Sequence, residues 1–256
     1  MTRDMQKPEI LAPAGNRTSF LAALAAGADF VLLGPKRTML KAHVPVIATS
    51  AVRTGCGKSQ TTRWLSRLLN RHGLKAAVIR HPMPYGDLAR QAVQRFACRA
   101  DLDAAHCTIE EREEYEPHIR NGVVVYAGAD YAAVLAEAQQ EADVIVWDGG
   151  NNDLPFYKPD VFITVADPLR VGNEMSYYPG ETNVRMADVI IINKVATAHP
   201  DNVQKVRENV ESVNPGAVIL EAASPIFVDD PSVLKTYGRL LERAGYRAIT
   251  EDDPQR

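Results

Sequence analysis

The stretch Val44 to Ser59, VPVIATSAVRTGCGKS, joins an apolar β-branched run to a loop that ends in glycine, lysine and serine. Glycines let backbone N–H groups face a phosphate, a lysine reaches the β and γ oxygens, and a serine hydroxyl can ligate Mg²⁺. A helical pattern follows at once, and a helix N-terminus adds to such an anion site. The stretch therefore predicts a strand, a phosphate-binding loop and a helix, with Lys58 as a catalytic cation.

The loop departs from the pattern G-x-x-x-x-G-K-[ST], because Val52 stands where a glycine is expected. Aligned on its last three residues, RTGCGKS resembles the K-G-G-x-G-K-[ST] loop of the MinD, dethiobiotin synthetase and metallochaperone branch. This resemblance places Arg53 at the signature-lysine position and implies a second catalytic cation on the phosphates. The predicted nucleotide contacts of the loop are Thr54, Gly55, Cys56, Gly57, Lys58, Ser59 and Gln60.

Composition sets limits on partners and on cellular location. The 256 residues include 29 basic and 32 acidic residues, so no electrostatic footprint for nucleic acid or an anionic membrane is present. Cys56, Cys98 and Cys107 form no C-x-x-C pair, which favours reduced thiols in a cytoplasm, with Cys56 as a small filler of the loop. No apolar run reaches the length of a membrane span, and MTRDMQKPE lacks the apolar core of a signal peptide. We expect a soluble cytoplasmic protein without nucleic-acid or membrane partners.

Beyond the loop, helical and strand patterns alternate. Residues 59 to 72 carry leucines at helical spacing, and helix-like stretches recur at 131 to 141 and 202 to 213. This order predicts an α/β fold with a doubly wound, mostly parallel sheet, the three-layer αβα architecture of a P-loop NTPase. The predicted strands after the first are 76–79, 123–126, 144–147, 161–165, 189–192 and 218–220.

Polar residues follow several of these strands, at the edge where parallel sheets bind ligands. Asp148 ends the run VIVW, as the Mg²⁺-linked acidic residue of a P-loop enzyme does, so we predict metal ligation by Ser59 and Asp148 and a catalytic role for Asp148. Asn193 and Lys194 resemble the start of the guanine-reading motif Asn-Lys-x-Asp, but Ala196 stands at its fourth position. Both remain predicted nucleotide contacts; the missing carboxylate favours ATP over GTP, with GTP left open.

Longer phrases resemble one family, the cyclic 2,3-diphosphoglycerate synthetases and their bacterial relatives. The phrases are AVRTGCGKSQTTR (51–63), RHPMPYGDL (80–88), QAVQRF (91–96), CTIEEREEYEPHI (107–119), WDGGNNDLPF (147–156) and YYPGETNVRMADVIIINK (177–194). The resemblance implies ATP-dependent closure of a phosphorylated small acid into an intramolecular phosphoanhydride. Arginine forks suit phosphate oxygens. The candidate substrate-binding residues are Arg80, His81, Arg95, Arg112, His118, Arg170 and Arg185.

The segment 108 to 118, TIEEREEYEPH, is open to two interpretations. Its charges are typical of a solvated helix face, whereas Pro117, expected to end any helix, favours a lid or substrate loop. The turn around Pro179 and Gly180 is similarly either a substrate loop or a packed turn. No zinc-site spacing joins His106, Cys107 and His118.

The two ends of the chain differ from that family. Residues 1–42 are predicted to form a β-α-β-like extension, of which 8–34 weakly resemble the start of collagenase-like peptidases. Residues 43–225 are predicted to form the P-loop domain, and 226–256 an amphipathic helix with an acidic tail. Two alternative functions therefore stay open: a GTPase or ATPase switch, or metallochaperone-like protein, that acts through a homodimer or a partner, and a shortened relative that binds nucleotide without completing the chemistry.

Overall fold

A computed structural model describes residues 21, 22, 24–27, 34, 38–80, 83, 87–150 and 153–225. The chain divides into two compact units, residues 1–39 and 40–256. In the first unit, residues 21, 22, 24 and 25 are helical. The rest of the predicted N-terminal β-α-β arrangement, and all of the predicted helix and tail at 226–256, lie outside the described residues, so those two predictions and the peptidase-like resemblance stay predictions.

The second unit is built on an eight-stranded sheet with the order β3-β4-β2-β5-β1-β6-β7-β8. Every pairing is parallel except β3 with β4, which is antiparallel. The strands are β1 (Val46–Ala51), β2 (Ala76–Arg80), β3 (Gln94–Phe96), β4 (Val124–Ala127), β5 (Val144–Asp148), β6 (Val161–Ala166), β7 (Val189–Ile192) and β8 (Val218–Glu221).

Helices connect the parallel strands, as the crossover of a parallel pair requires. They are α1 (Lys58–Arg71), α2 (Arg99–Ala104), α3 (Ile109–Arg120), α4 (Tyr131–Glu141), α5 (Asn173–Ser176), α6 (Gly180–Met186) and α7 (Pro200–Val213), with a 3-10 turn at Pro168–Arg170. In the described part of the chain, no helix is both long and apolar enough to cross a membrane.

Alternate residues of the central strands belong to different apolar clusters, which shows that helices cover both faces of the sheet. In β2, Ala77 and Ile79 join a cluster with residues of α4 and α7, while Ala76 and Val78 pack with Leu65 and Leu69 of α1. All five residues of β5 are buried, the pattern of a strand covered on both faces. The three-layer α/β architecture predicted for a P-loop NTPase is confirmed.

The predicted strands are all present, and where bounds were predicted, no end differs by more than one residue. The sequence patterns missed β3, a three-residue antiparallel strand at the edge of the sheet, which is too short to show a period. The expectation that Pro117 ends any helix is wrong, because α3 continues through Pro117 to Arg120. A proline near a helix C-terminus removes only one N–H bond, and the buried side chains of Tyr115 and His118 hold this helix to the protein.

Candidate functional site

The loop between β1 and α1 has the backbone that phosphate binding needs. Gly55 and Gly57 have φ angles of 86° and 107°, a region that disfavours side chains. A Cβ on Gly57 would also lie 2.1 Å from Asn193 Nδ2. Both the backbone conformation and the close approach of Asn193 therefore require glycine at this position. Helix α1 begins at Lys58, which directs its N-terminus at the space enclosed by the loop.

Three successive carbonyl groups of the loop are held by side chains that follow β6 and β7. Arg170 Nη1 donates to Thr54 O at 3.2 Å, Lys194 Nζ to Gly55 O at 2.6 Å, and Asn193 Nδ2 to Cys56 O at 2.8 Å. These hydrogen bonds satisfy three loop carbonyl groups from within the protein. The loop N–H groups are thereby held in place to bind a phosphate, and none of these carbonyl groups has to find a new partner when the phosphate binds.

The side chains that hold the loop are themselves held. Lys194 Nζ lies 2.6 Å from Asp167 Oδ2, a carboxylate that is 1% exposed just after β6. Ser224 Oγ donates to Asn193 Oδ1 at 2.6 Å. Asn193 and Lys194 thus contact the loop itself, while their predicted contact with a purine, and the choice between ATP and GTP, stay predictions.

Asp148 lies on the other side of the loop, at the end of β5. Its carboxylate is 0% exposed. Oδ1 lies 2.5 Å from Lys58 Nζ and accepts a hydrogen bond from Thr62 Oγ1 at 3.1 Å. Oδ2 accepts a hydrogen bond from Arg80 Nη1. Arg80 meets Asp148 because the two residues are register partners on adjacent strands β2 and β5. Two predicted catalytic groups, Lys58 and Asp148, are therefore in contact, and one predicted substrate residue, Arg80, is their neighbour.

Burial and charge act in opposite directions on the Asp148 carboxyl. Burial by itself would raise its pKa, but the charges of Arg80 and Lys58 hold the pKa well below its usual range. Asp148 is therefore an anion over the whole physiological pH range. Burial raises the pKa of the Cys56 thiol to about 11, so Cys56 is a filler of the loop and not a nucleophile.

The donor set at this place fits Mg²⁺. Ser59, in the first turn of α1, offers a hydroxyl and Asp148 a carboxylate; magnesium takes such hard oxygen ligands, one or two from the protein and others from phosphates and water. Among the described residues, no group of three or more His, Cys, Asp or Glu side chains is arranged to hold a metal ion. An Mg²⁺ ion at this site would thus depend on the nucleotide for part of its coordination.

A cavity of about 550 Å³ opens beside the loop. One wall is the loop from Arg53 to Gln60, all of whose residues were predicted to bind nucleotide or phosphate. Arg80, Gly150 and residues of α3 also line the cavity. Glu113, Glu114 and Pro117 on this cavity belong to the segment 108 to 118, which was open to two interpretations, whereas Arg63 and Met83 had not been named as site residues.

Most of the predicted substrate-binding arginines lie elsewhere, each paired with a carboxylate. Arg95 Nε is 2.6 Å from Glu141 Oε1, Arg112 Nη2 is 2.6 Å from Asp103 Oδ1, and Arg185 contacts Glu181. Arg95 lines a second cavity beside β3. The structure does not bring these three together with Arg80; their role in substrate binding stays a prediction without a shared site.

The two predicted histidines have different outcomes. His118 is 1% exposed, and its Nε2 lies 3.5 Å from Asp148 Oδ2, so it is buried beside the carboxylate instead of standing on the cavity wall. Neither of its ring nitrogens has a hydrogen-bond partner. His81 lies outside the described residues.

Arg53 lines the cavity but is directed towards α5. Its Nη1 donates to Asn173 Oδ1 at 3.0 Å, and its guanidinium lies 4.8 Å from the centroid of the Tyr177 ring. The neighbouring turn is closely packed, because a Cβ on Gly180 would lie 2.2 Å from Val52 O. Tyr177 and Tyr178 of the same turn are exposed, so its interpretation as a substrate loop or as a packed turn stays open.

No family model matches the chain. Among curated proteins, the chain is 60% identical over 239 residues to the arginine synthetase ArcE of Thermococcus kodakarensis, a match that covers 88% of this chain and 53% of the relative. It is 29% identical over 85 residues to the cyclic 2,3-diphosphoglycerate synthetase of Thermococcus sibiricus (33% of this chain, 19% of the relative). With the corresponding Pyrococcus furiosus synthetase it shares 19% over 119 residues (42% and 28%).

The chain thus spans about half, or less, of the length of these curated relatives. The sequence resemblance to the cyclic 2,3-diphosphoglycerate synthetases is supported, and none of these relatives is a peptidase. Among solved structures, the hydrogenase maturation factor HypB of Archaeoglobus fulgidus superposes with a TM-score of 0.45 at 18% identity over 70% of this chain and 80% of that one. HypB of Helicobacter pylori gives 0.42 at 18%, over 81% and 91%. Superpositions this distant do not bear on function.

Proposed function

We propose that this chain is the nucleotide-binding part of an Mg²⁺- and ATP-dependent synthetase, which uses the γ-phosphoryl group of ATP to activate an acceptor. The observation that carries the proposal is the contact between Lys58 and Asp148 at a cavity shared by a preformed phosphate loop and the polar wall formed by Arg80 and α3. The 60% identity to a synthetase over most of this chain supports the same class of reaction.

The residues of the site have distinct roles in this proposal. The loop N–H groups and Lys58 bind the phosphates and stabilise the charge that develops during transfer. Ser59 and Asp148 hold Mg²⁺, which would neutralise part of the phosphate charge. Lys58 is paired with Asp148 at 2.5 Å, so it must exchange that carboxylate for phosphate oxygens when nucleotide binds.

The charges of the cavity bear on the acceptor. A doubly phosphorylated acid needs several uncommitted cations, yet Arg80 and Arg112 are each paired with two carboxylates, and Arg95 and Arg185 with one each. The lining of the cavity contains Glu113 and Glu114 as well as Arg53 and Arg63. Mixed charge suits an acceptor with both cationic and anionic groups, such as an amino acid, better than a bisphosphate.

The extent of the sequence similarity favours the same acceptor class, since the arginine synthetase matches 88% of this chain and the cyclic 2,3-diphosphoglycerate synthetases at most 42%. To form a guanidinium group with ATP, an oxygen on the central carbon must be replaced by nitrogen. Transfer of the γ-phosphoryl to a ureido oxygen releases ADP, and attack of ammonia on that carbon then expels phosphate. Closure of a phosphorylated acid into a phosphoanhydride is the alternative acceptor chemistry.

Two non-synthetic functions remain as alternatives. A nucleotide-controlled switch or metallochaperone-like protein would use Arg53 across a homodimer, and Arg53 here contacts Asn173 and Tyr177 of its own chain. A shortened relative would bind nucleotide without turnover.

The experiment is a comparison of acceptors at fixed MgATP. ADP release is measured with a ureido amino acid plus ammonia, and separately with 2,3-diphosphoglycerate; arginine is detected by mass spectrometry and a cyclic phosphoanhydride by phosphorus NMR. We expect ADP release to increase with the amino-acid mixture and arginine to appear. A cyclic product would establish the other acceptor, turnover indifferent to both would indicate a switch, and binding without turnover would indicate the shortened relative.

A further inference from the structure

Arg80 is shared between two carboxylates on opposite sides of it. Its Nη1 donates to Asp148 Oδ2, and its Nη2 is 2.9 Å from Glu114 Oε2 on α3. The guanidinium is 4% exposed, whereas the Glu114 side chain is 33% exposed on the cavity wall. Arg80 therefore bridges the strand end that carries the predicted metal ligand and the helix that forms the far side of the cavity.

The charges around Asp148 have to change when Mg²⁺ and nucleotide bind. In this structure a cation occupies each of its oxygens, Lys58 on Oδ1 and Arg80 on Oδ2. Lys58 can move to the phosphates, because it lies on the loop. Arg80, at the end of β2, already has a second carboxylate partner in Glu114, and a guanidinium left on Oδ2 would repel the incoming metal ion.

The structure offers Arg80 one other carboxylate partner among its described contacts, Glu114. His118 is not an alternative, because a histidine brings no negative charge; its Nε2 lies 3.5 Å from Asp148 Oδ2, the oxygen that Arg80 occupies. An arginine deprived of both carboxylates would be an unpaired buried charge, which is strongly destabilising.

We propose that Arg80 and Glu114 form a counter-ion exchange: when Mg²⁺ and nucleotide bind, the Arg80 guanidinium leaves Asp148 Oδ2 and pairs with Glu114 alone. The inference rests on the proposed Mg²⁺–nucleotide site. Glu114 is then a positioning residue, which acts on the metal ligand through Arg80. Because Glu113 and Pro117 of the same helix line the cavity, occupancy of the metal site is transmitted to the wall that faces the acceptor.

The test is the Mg²⁺ dependence of ADP affinity, measured with a fluorescent ADP analogue from EDTA to millimolar Mg²⁺, with Glu114→Gln. Without Glu114, Arg80 pairs with Asp148 alone and competes more strongly with the metal. We expect the Mg²⁺ concentration for half-maximal tightening to rise by about tenfold, the effect of a charge pair worth about 1.4 kcal/mol. Affinity in EDTA should stay unchanged. Glu110→Gln, on an exposed position of the same helix, is the matched control and should follow wild type.

A second pair of variants shows whether Arg80 carries the effect. Arg80→Lys keeps the charge but cannot bridge two carboxylates, so adding Glu114→Gln to it should shift the midpoint by less than about twofold. A Glu114→Gln midpoint equal to that of Glu110→Gln, or the full shift in the Arg80→Lys background, would overturn the exchange. If wild-type affinity for ADP ignores Mg²⁺ altogether, the proposed metal site itself has failed, which is a separate outcome.

Discussion

The two sides of the phosphate loop are built differently. On the side of β6 and β7, Arg170, Lys194 and Asn193 hold three successive loop carbonyls, and every one of these bonds can persist when a phosphate arrives. On the side of β2 and β5, Lys58 and Arg80 both occupy Asp148. Lys58 has to leave that carboxylate to bind phosphate, and the charge of Arg80 on Oδ2 opposes Mg²⁺ there. One side is prepared for the ligand; the other has to rearrange.

The difference explains how a loop can be preformed and still respond to its ligand. Hydrogen bonds from the protein fix the backbone beforehand, which lowers the cost of ordering it. The ion pairs at Asp148 keep a buried carboxylate neutralised while the site is empty, and Mg²⁺ with nucleotide takes over that role afterwards. Substitutions on the two sides should therefore have different signatures.

The largest effect is expected from Asp148→Asn, which removes the negative charge that Lys58 and Arg80 share on the rearranging side. The variant should keep its fold but leave Lys58 and Arg80 without their buried partner, lowering the free energy of unfolding by about 3 kcal/mol at neutral pH. It should also abolish the Mg²⁺ dependence of nucleotide binding. Urea denaturation and the Mg²⁺ titration measure the two effects.

The pH dependence of that loss follows from the depressed pKa of Asp148. A carboxyl with a lowered folded-state pKa stabilises the protein fully above its unfolded value, about 4, and loses the contribution as pH falls through the folded value. The difference between wild type and Asp148→Asn should be constant above pH 5 and shrink in acid. An equal difference at pH 7 and pH 3 would mean that the ion pairs do not cause it.

Next in size is Lys58→Ala, which removes the cation that changes partners. ADP affinity should fall by about a hundredfold, since a charge-assisted contact to phosphate is worth about 3 kcal/mol. Calorimetric titration measures it, with Lys75→Ala as the control, because Lys75 is an exposed lysine paired with Glu141. Unchanged affinity in Lys58→Ala would remove the phosphate-loop hypothesis.

A smaller effect is expected on the prepared side, from Gly57→Ala. An alanine disfavours the φ of 107° at this position, and its Cβ would displace Asn193. The resulting strain of about 1–2 kcal/mol in the loop should lower ADP affinity by about tenfold. The loss should be the same with and without Mg²⁺, unlike that of Asp148→Asn. Gly216→Ala is the control, since an added Cβ there meets only Asn214 Oδ1, at 4.0 Å. A loss confined to Mg²⁺-containing solutions would contradict the division between the two sides.

Much of the fold could be predicted from the sequence because its signals are local. The β1–loop–α1 unit, the apolar strands and helix α4 all have a period or a motif within one short stretch. Strand β3 has three residues and no period, and α3 continues past Pro117 because buried side chains outweigh one lost backbone bond. Such tertiary effects do not appear in a local pattern.

The site was predictable in its parts but not in its pairings. Lys58 and Asp148 each have a sequence signal, whereas the contact of Arg80 with Asp148 depends on β2 lying beside β5 in the sheet. Likewise, no local sequence pattern indicates that Arg95 pairs with Glu141 or that Arg112 pairs with Asp103. Glu114 carried a weak signal: it lies in a family-like phrase, but among glutamates that a solvated helix would also have.

The most direct measurement is a crystal structure of the chain with Mg²⁺ and ADP. We predict that Lys58 will have left Asp148 for the phosphates and that Arg80 will pair with Glu114, while Asn193 and Lys194 still donate to the carbonyls of Cys56 and Gly55. A nucleotide bound with Lys58 still on Asp148, or with the loop released by Asn193 and Lys194, would contradict the distinction between a prepared and a rearranging side.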